Sequence, residues 1–181
     1  MHGYNDGIVC SEIMRFALFI FAGVFSFIMS ASAQAETLIL ETSKGEIRIS
    51  LLTTLAPNHV DRIKELAQEG YYDGIIFHRV IPGFMAQTGD PTGTGMGGSG
   101  QKLDAEFSEY QYKAGTVGMA RTMDPNSADS QFFICFDGCG HLTGQYTVWG
   151  QVEEGMDVVE AINPGEPPAE PDQIISARLA E

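Results

Sequence analysis

An arginine stands inside an apolar run of this 181-residue chain. Arg79 lies within residues 75–80, where its neighbours are mainly isoleucine, phenylalanine and valine. A guanidinium is planar and permanently charged, so it can donate hydrogen bonds to an electron-rich atom. A charge among apolar neighbours costs free energy unless something uses it. Taken alone, the pattern favours a structural arginine that pairs with a carboxylate or reaches into water, and a catalytic role is the alternative.

Histidines and cysteines are the other candidates for chemistry, and none of them forms a complete motif. The sequence contains neither H-E-x-x-H nor G-x-S-x-G. Cys135, Cys139 and His141 would offer a metal three ligands, whereas a closed structural zinc site has four, so we predict no metal. His78 lies beside Arg79 in the apolar run, and we predict a core histidine with its hydrogen bonds satisfied.

Two explanations of the cysteine pair stay open. Cys135 and Cys139 could form a disulfide, which an oxidising compartment permits. Alternatively, Cys135 is a buried free thiol at the end of an apolar strand and Cys139 lies in the next turn. A bridge that closes so short a loop gains little entropy, so the spacing itself does not decide between them.

A glycine-rich segment, residues 93–98, matches the dinucleotide-binding pattern G-x-G-x-x-G. That pattern has meaning where a helix follows and its N-terminus holds a pyrophosphate. Ser99, Gly100 and Gln101 follow here, and they do not predict a helix. We therefore expect the glycines to let a long surface loop turn back on itself, and we predict no nucleotide cofactor.

The pattern of apolar residues predicts a mainly β domain. Residues 37–41 and 46–51 alternate across a glycine turn and predict a hairpin. Apolar residues at helical spacing between Pro57 and Gly70 predict one helix, and a second helix is predicted over residues 156–162. Short strands separated by turns account for most of the rest. A closed antiparallel eight-stranded β-barrel capped by two helices fits this order. The six further predicted strands span residues 75–80, 84–88, 116–120, 130–136, 146–152 and 173–179, and residues 164–171 form a Pro-rich loop.

The N-terminal 35 residues resemble an export signal in front of a single domain, residues 36–181. Arg15 precedes an apolar run over residues 16–29, and small residues with A-x-A sites ending at Ala33 and Ala35 follow. The run is shorter than the roughly 20 residues that span a bilayer, so we expect a cleaved signal peptide and no stable anchor. Met14 is the expected true start. These features predict a periplasmic protein.

Charge excludes one class of partner. The whole chain has a formal net charge of −14, and removal of residues 1–35 leaves 9 basic and 22 acidic side chains. Such a surface repels phosphate backbones, so we predict no nucleic-acid partner. Solubility alone explains the acidic excess, and we expect a monomer.

Two long motifs in the expected order resemble the signature of the cyclophilin family. They are residues 77–90 and residues 130–134, the latter preceded by Gly118-Met119-Ala120-Arg121. The front hairpin, the glycine-rich loop and residues 152–159 are also similar, so the resemblance covers residues 36–181. It implies a bacterial exported peptidyl-prolyl cis-trans isomerase that acts on proline-containing polypeptides without a cofactor. A chaperone that holds such chains without turnover is the alternative, and a redox or metal protein built on the two cysteines is a weaker one.

The resemblance also assigns roles residue by residue. Arg79 becomes the catalytic arginine, with Gln87 and Gln131 as polar groups beside the substrate backbone. His141 stands where well-studied eukaryotic members have tryptophan, and Tyr146 stands where they have histidine, which puts tight cyclosporin binding in doubt. The remaining residues of the implied substrate site are Phe84, Met85, Phe133 and Leu142 around the proline, and Ala120 and Arg121 beside the preceding residues.

Overall fold

The structure, a computed structural model, describes residues 36–180. The predicted signal peptide, its boundary with the domain and Cys10 lie outside these residues. Within them, no helix is long and apolar enough to cross a lipid bilayer. The elements are β1 (Thr37–Thr42), β2 (Gly45–Leu51), α1 (Pro57–Gln68), β3 (Arg79–Ile81), β4 (Met85–Thr88), β5 (Thr116–Met119), β6 (Phe132–Cys135), β7 (Val148–Glu154), α2 (Met156–Glu160) and β8 (Ile174–Leu179), with a 3₁₀ turn at Gly140–Leu142.

The eight strands form one antiparallel, strongly curled sheet in the order β3-β4-β6-β5-β7-β2-β1-β8. The fold is therefore mainly β, as predicted. The predicted closed barrel is not formed, because no ladder joins β3 and β8, the two strands at the ends of the sheet. The gap is crossed by an isolated bridge between Ile76 and Gln173. The free edge of β3 pairs instead with the loop after α2, through an isolated bridge between Val80 and Gly165.

The hairpin shows how alternation builds the core. Leu38 pairs with Ile49 and Leu40 pairs with Ile47, and all four side chains are fully buried. Their neighbours along the strands point to the opposite face, since side chains alternate along a strand. Burying such side chains contributes about 1.5–3 kcal/mol each, so this face stabilises the sheet.

The two helices pack on the curled sheet where the sequence places them. Helix α1 begins at Pro57, whose missing N–H is not needed in a first turn. Its buried residues, spaced three or four apart, are His59, Val60, Ile63, Leu66 and Ala67. Gly70, with φ of +69°, follows the helix end. Helix α2 is two residues shorter than predicted, and the 3₁₀ turn was not predicted.

Candidate active site

Four side-chain positions form a row across neighbouring strands. Arg79 on β3 pairs with Gln87 on β4, Gln87 pairs with Phe133 on β6, and Phe133 pairs with Gly118 on β5. Directly paired residues lie on the same face of a sheet. The adjacent row carries buried core residues on the opposite face, namely Val80, Ala86, Ile134 and Val117. The pleat of the sheet therefore separates the core from a second face that is free to build a site.

A cavity of about 430 Å³ opens over this second face. Ten of the eleven residues that the resemblance assigned lie around it, so the fold brings together what the sequence scatters over residues 79–146. Sequence reasoning missed Gln145, which also lines the cavity. The lining residues are Arg79, Phe84, Met85, Gln87, Ala120, Arg121, Phe133, His141, Leu142, Gln145 and Tyr146.

The floor of the cavity is apolar and rests on a second, smaller core. Met85, Phe133 and Leu142 are buried and belong to this core. The Phe84 ring stacks on His141 with centroids 5.5 Å apart, and the Tyr146 ring meets Phe133 edge-on at 5.8 Å. Such a surface suits a compact apolar ring, because it removes apolar area from water without asking for hydrogen bonds.

A disulfide joins Cys135 and Cys139 beneath that floor. This settles the alternative of a free Cys135 in favour of the bridge, and it leaves neither sulfur free for a metal. Cys135 ends β6, and Cys139 directly precedes the 3₁₀ turn that carries His141 and Leu142. The bridge therefore ties one wall of the cavity to the sheet.

Arg79 pairs with a carboxylate and also reaches the cavity. Its Nε donates a hydrogen bond to Glu166 Oε2 at 2.7 Å, so the guanidinium does pair with a carboxylate. Its Nη1 lies 3.9 Å from the sulfur of Met85 in the cavity floor. The side chain is 38% exposed, so the far edge of the guanidinium can meet a ligand. Glu166 was not singled out from the sequence, where it belonged to an unassigned Pro-rich loop.

Two glutamines connect the cavity to a neighbouring groove. Gln87 Nε2 donates to Gln131 Oε1 at 2.9 Å, and Gln131 Nε2 donates to the carbonyl oxygens of Gly95 and Gly97. Gln131 lines this groove and not the cavity itself. Its amide is occupied in holding the glycine-rich loop, because both of its polar atoms already have partners.

The groove has a volume of about 340 Å³ and shares Gln87, Ala120 and Arg121 with the cavity. The glycine-rich loop forms its other side, with Gly95, Met96, Gly97 and Gly98, and no helix follows this loop. The prediction that these glycines serve a surface loop is therefore confirmed. A chain whose proline occupies the cavity can continue along the groove, since the two spaces share a wall.

Asp90 organises that loop from within. Its carboxylate accepts backbone N–H hydrogen bonds from Thr92, Thr94, Gly95 and Gly97. Burial by itself raises the pKa of Asp90, but the hydrogen bonds from Thr92, Gly97 and Gly95 outweigh it and bring the pKa to about 2. The backbone donors of the glycine-rich segment are thus occupied by the chain's own carboxylate.

Arg121 fixes the far wall of the cavity. Its Nε and Nη2 donate to the carbonyl oxygen of Gln145, and its Nη1 donates to that of Thr122. The guanidinium carbon lies 4.3 Å from the centre of the Tyr146 ring, a cation–π contact. These contacts explain why Gln145 reaches the cavity, and sequence spacing alone gave no signal for them.

His78 differs from its prediction. The side chain is buried, as expected, but neither ring nitrogen has a hydrogen-bond partner. Burial lowers the pKa of His78, which favours the neutral ring. The predicted satisfied core histidine is therefore wrong in one respect, because its polar atoms are buried without partners among the described residues.

These features define a mainly β domain with a cavity that has an apolar floor, with Arg79 at one side and Arg121 at the other, a cyclophilin-like fold. The sequence model of the family described as cyclophilin-type peptidyl-prolyl cis-trans isomerase/CLD matches residues 37–179. The chain belongs to this family, and it is a cyclophilin-type peptidyl-prolyl cis-trans isomerase.

Individual relatives agree with this membership. A probable peptidyl-prolyl cis-trans isomerase of Brucella suis is 47% identical, and the alignment covers 83% of this chain and 85% of that protein. A peptidyl-prolyl cis-trans isomerase of Synechococcus elongatus is 45% identical, over 78% of this chain and 94% of that one. A Cryptosporidium parvum cyclophilin-type isomerase, solved in the presence of the dipeptide Ala-Pro, is 30% identical with a TM-score of 0.74, covering 80% and 99% of the two chains.

Proposed function

We propose that Arg79, at the edge of the apolar cavity, catalyses rotation about X-Pro bonds of exported polypeptides. The observation that carries this proposal is the position of the guanidinium, whose Nη1 lies 3.9 Å from the sulfur of Met85 in the floor of the cavity. A proline ring seated on Met85 and Phe133 would bring its nitrogen to the edge of the cavity that Arg79 occupies.

The chemistry follows from the amide bond. Resonance in the peptide unit gives the C–N bond partial double-bond character and a rotation barrier of about 18–20 kcal/mol. In the twisted state the resonance is broken, and the prolyl nitrogen gains a lone pair that a guanidinium can hydrogen-bond. The planar ground state offers no such lone pair, so the bond forms only in the transition state and lowers the barrier.

The arginine needs help from the cavity. Shortening isomerisation from tens of seconds to milliseconds takes about 10⁴-fold, or roughly 5.5 kcal/mol. One hydrogen bond to a charged group contributes about 1.5–3 kcal/mol. We assign the remainder to Phe84, Met85, Phe133 and Leu142, which grip the ring in an environment poor in water. Gln87 lies between Arg79 and Phe133 in the same row and would contact the substrate backbone.

Export is supported by two independent features. The first is the signal-like sequence before residue 36, and the second is the disulfide between Cys135 and Cys139. Disulfides persist mainly in oxidising compartments. We therefore infer that the enzyme works in the periplasm on exported proteins. Mass spectrometry of the processed protein should find a chain that starts near Gln34 or Glu36, whereas an intact N-terminus would contradict export with cleavage.

The test is an isomerase assay on the Arg79→Ala variant. Loss of one transition-state hydrogen bond should lower kcat/KM on an X-Pro peptide by about 10- to 150-fold. Arg178→Ala is the matched control, because Arg178 is an exposed arginine on β8 that pairs with Glu46. Near wild-type turnover in the Arg79 variant would overturn the mechanism. A wild-type protein that binds the peptide without turnover would favour the chaperone alternative.

A further inference from the structure

The loop after α2 is attached to β3 next to the active-site arginine. Val80 N–H donates to the Gly165 carbonyl at 2.8 Å, and Gly165 N–H donates back to the Val80 carbonyl at 2.9 Å. This is an isolated antiparallel bridge. In such a pair the residue before Val80 lies opposite the residue after Gly165, so Arg79 faces Glu166. The contact between these two side chains is therefore built into the backbone register.

The bond to Glu166 limits how Arg79 can turn. A free arginine populates many rotamers, and ordering it for each catalytic event costs entropy. Glu166 Oε2 accepts from Nε at 2.7 Å, which fixes the inner edge of the planar guanidinium. The two Nη groups, with four N–H donors, then remain for the cavity, where Nη1 already lies near Met85.

We propose that Glu166 is a positioning residue that holds Arg79 in the orientation required for catalysis. This inference rests on the proposed function of Arg79. Glu166 does not line the cavity and touches no substrate there; it acts through the arginine. Because the ordered guanidinium matters most when the twisted amide forms its hydrogen bond, the effect should fall on kcat more than on KM.

The test compares Glu166→Ala and Glu166→Gln with wild type in steady-state kinetics. We expect Glu166→Ala to lower kcat by about 5- to 30-fold, the upper figure corresponding to loss of all pre-ordering of the side chain, with KM within about two-fold. Glu166→Gln keeps a neutral acceptor and should lose only about 2- to 5-fold. Glu170→Gln is the matched control, an exposed carboxylate of the same loop. Equal kcat in wild type and Glu166→Ala would overturn the proposal.

A double-mutant cycle separates this inference from the proposed function. In the Arg79→Ala background, Glu166→Ala should change kcat by less than about two-fold, because the residue it positions is gone. An undiminished loss in that background would show that Glu166 acts by another route. The ¹⁵N resonance of Arg79 Nε gives a readout without activity: its hydrogen should exchange faster in Glu166→Ala. If wild type is inactive, the proposed function fails, and the resonance still tests the contact.

A second observation concerns charge in the groove. Of the nine lysines and arginines in residues 36–180, six lie within 4.0 Å of a carboxylate. Within this described part of the chain, Lys102, Lys113 and Arg121 have no such partner. Lys102 and Arg121 line the groove. In a strongly acidic protein, two of the three uncompensated cations therefore lie beside the path of the substrate.

The groove contains one carboxylate, and it is already engaged. Asp129 accepts hydrogen bonds from the N–H groups of Ser99 and Gly100 and from the Ser99 hydroxyl. Arg121 donates three N–H groups to carbonyl oxygens and keeps two of its five. Both the charge of Arg121 and these donors remain to be matched by a ligand.

We infer that the groove selects substrates with an acidic side chain among the residues before proline, which specifies the substrate class of the proposed function. The test uses X-Pro peptides that differ only in having Glu, Gln or Lys at one of the positions before proline. We expect kcat/KM for Glu to exceed that for Gln by about two- to five-fold at low salt, with Lys below both. The preference should shrink in 0.5 M NaCl, where charges are screened.

Lys102→Gln should reduce the Glu preference, and Lys113→Gln should leave it unchanged, since Lys113 carries the same charge outside the groove. Equal kcat/KM for the Glu and Gln peptides in wild type would overturn the inference while leaving the isomerase function intact. A preference that survives in Lys102→Gln/Arg121→Gln would also overturn it, because the charges named here would then not be its source.

Discussion

Replacing Asp90 with asparagine should destabilise the protein by about 2 kcal/mol at neutral pH. The folded protein lowers the pKa of Asp90 from 3.8 to about 2. Each pKa unit corresponds to about 1.36 kcal/mol, and the side chain is buried, so solvent screens little of this energy. The cause is geometric. Oδ2 accepts from Thr94, Gly95 and Gly97, and an amide nitrogen in its place would leave these donors facing another donor.

The pH dependence has a defined sign. A carboxyl group whose folded pKa is depressed contributes its stability above the unfolded value and loses it as the pH falls through the folded value. The difference between wild type and Asp90→Asn should therefore be complete above about pH 5. About half of it should remain at pH 3 and about a sixth at pH 2, and it should vanish only at lower pH.

Urea unfolding at pH 7, 5 and 3 measures this difference directly. Asp61→Asn is the matched control, because Asp61 is an exposed aspartate on α1 and its replacement removes the same charge. A difference below about 0.5 kcal/mol at pH 7 would refute the reasoning, as hydrogen bonds to a buried charge contribute more than that. So would a difference that stays constant down to pH 3.

Two further substitutions test the construction of the site. Gly118→Ala would place a Cβ about 2.7 Å from the Phe133 ring and against the Tyr112 hydroxyl. We expect the free energy of unfolding to fall by about 1–3 kcal/mol and kcat/KM to fall several-fold. Unchanged kinetics would show that the cavity floor rearranges to accept the methyl group. Cys139→Ser opens a disulfide that closes a short loop and should cost about 2 kcal/mol in urea unfolding. Reduced wild type should match this variant, and equal stability of the variant and oxidised wild type would contradict the assigned role of the bridge.

The order and type of the elements were accessible from sequence, because alternation and helical spacing are local signals. The hairpin β1–β2 and helix α1 match their predicted spans within a residue or two. The predicted strand over residues 75–80 does not. Only Arg79–Ile81 forms a ladder, since Ile76 pairs singly with Gln173 across the open side of the sheet. Whether a curled sheet closes depends on such long-range pairs, which local pattern does not encode.

In the candidate site, too, local sequence motifs were informative and long-range contacts were not. Motif resemblance located most of the cavity residues, because residues 79–87, 120–121 and 133 fall in or just before its two motifs, and residues 141, 142 and 146 were assigned by position after them. It could not locate Glu166 or Gln145, whose positions depend on contacts between distant parts of the chain. Nor could it predict that the Gln131 amide donates hydrogen bonds to the glycine-rich loop, because those bonds depend on how the loop folds around Asp90.

The register between β3 and β4 decides whether the Arg79 side chain faces the cavity or the core. β3 pairs with β4 through only three residues, and one of them, Val80, is buried in the main core. A shift of one residue would turn Arg79 into that core and Val80 into the cavity, because side chains alternate along a strand. So short a ladder is weakly specified by itself. The backbone bridge from Val80 to Gly165 fixes the free edge of β3, and the bond from Arg79 to Glu166 fixes its cavity face, so the same loop that orients the arginine also keeps its strand in register.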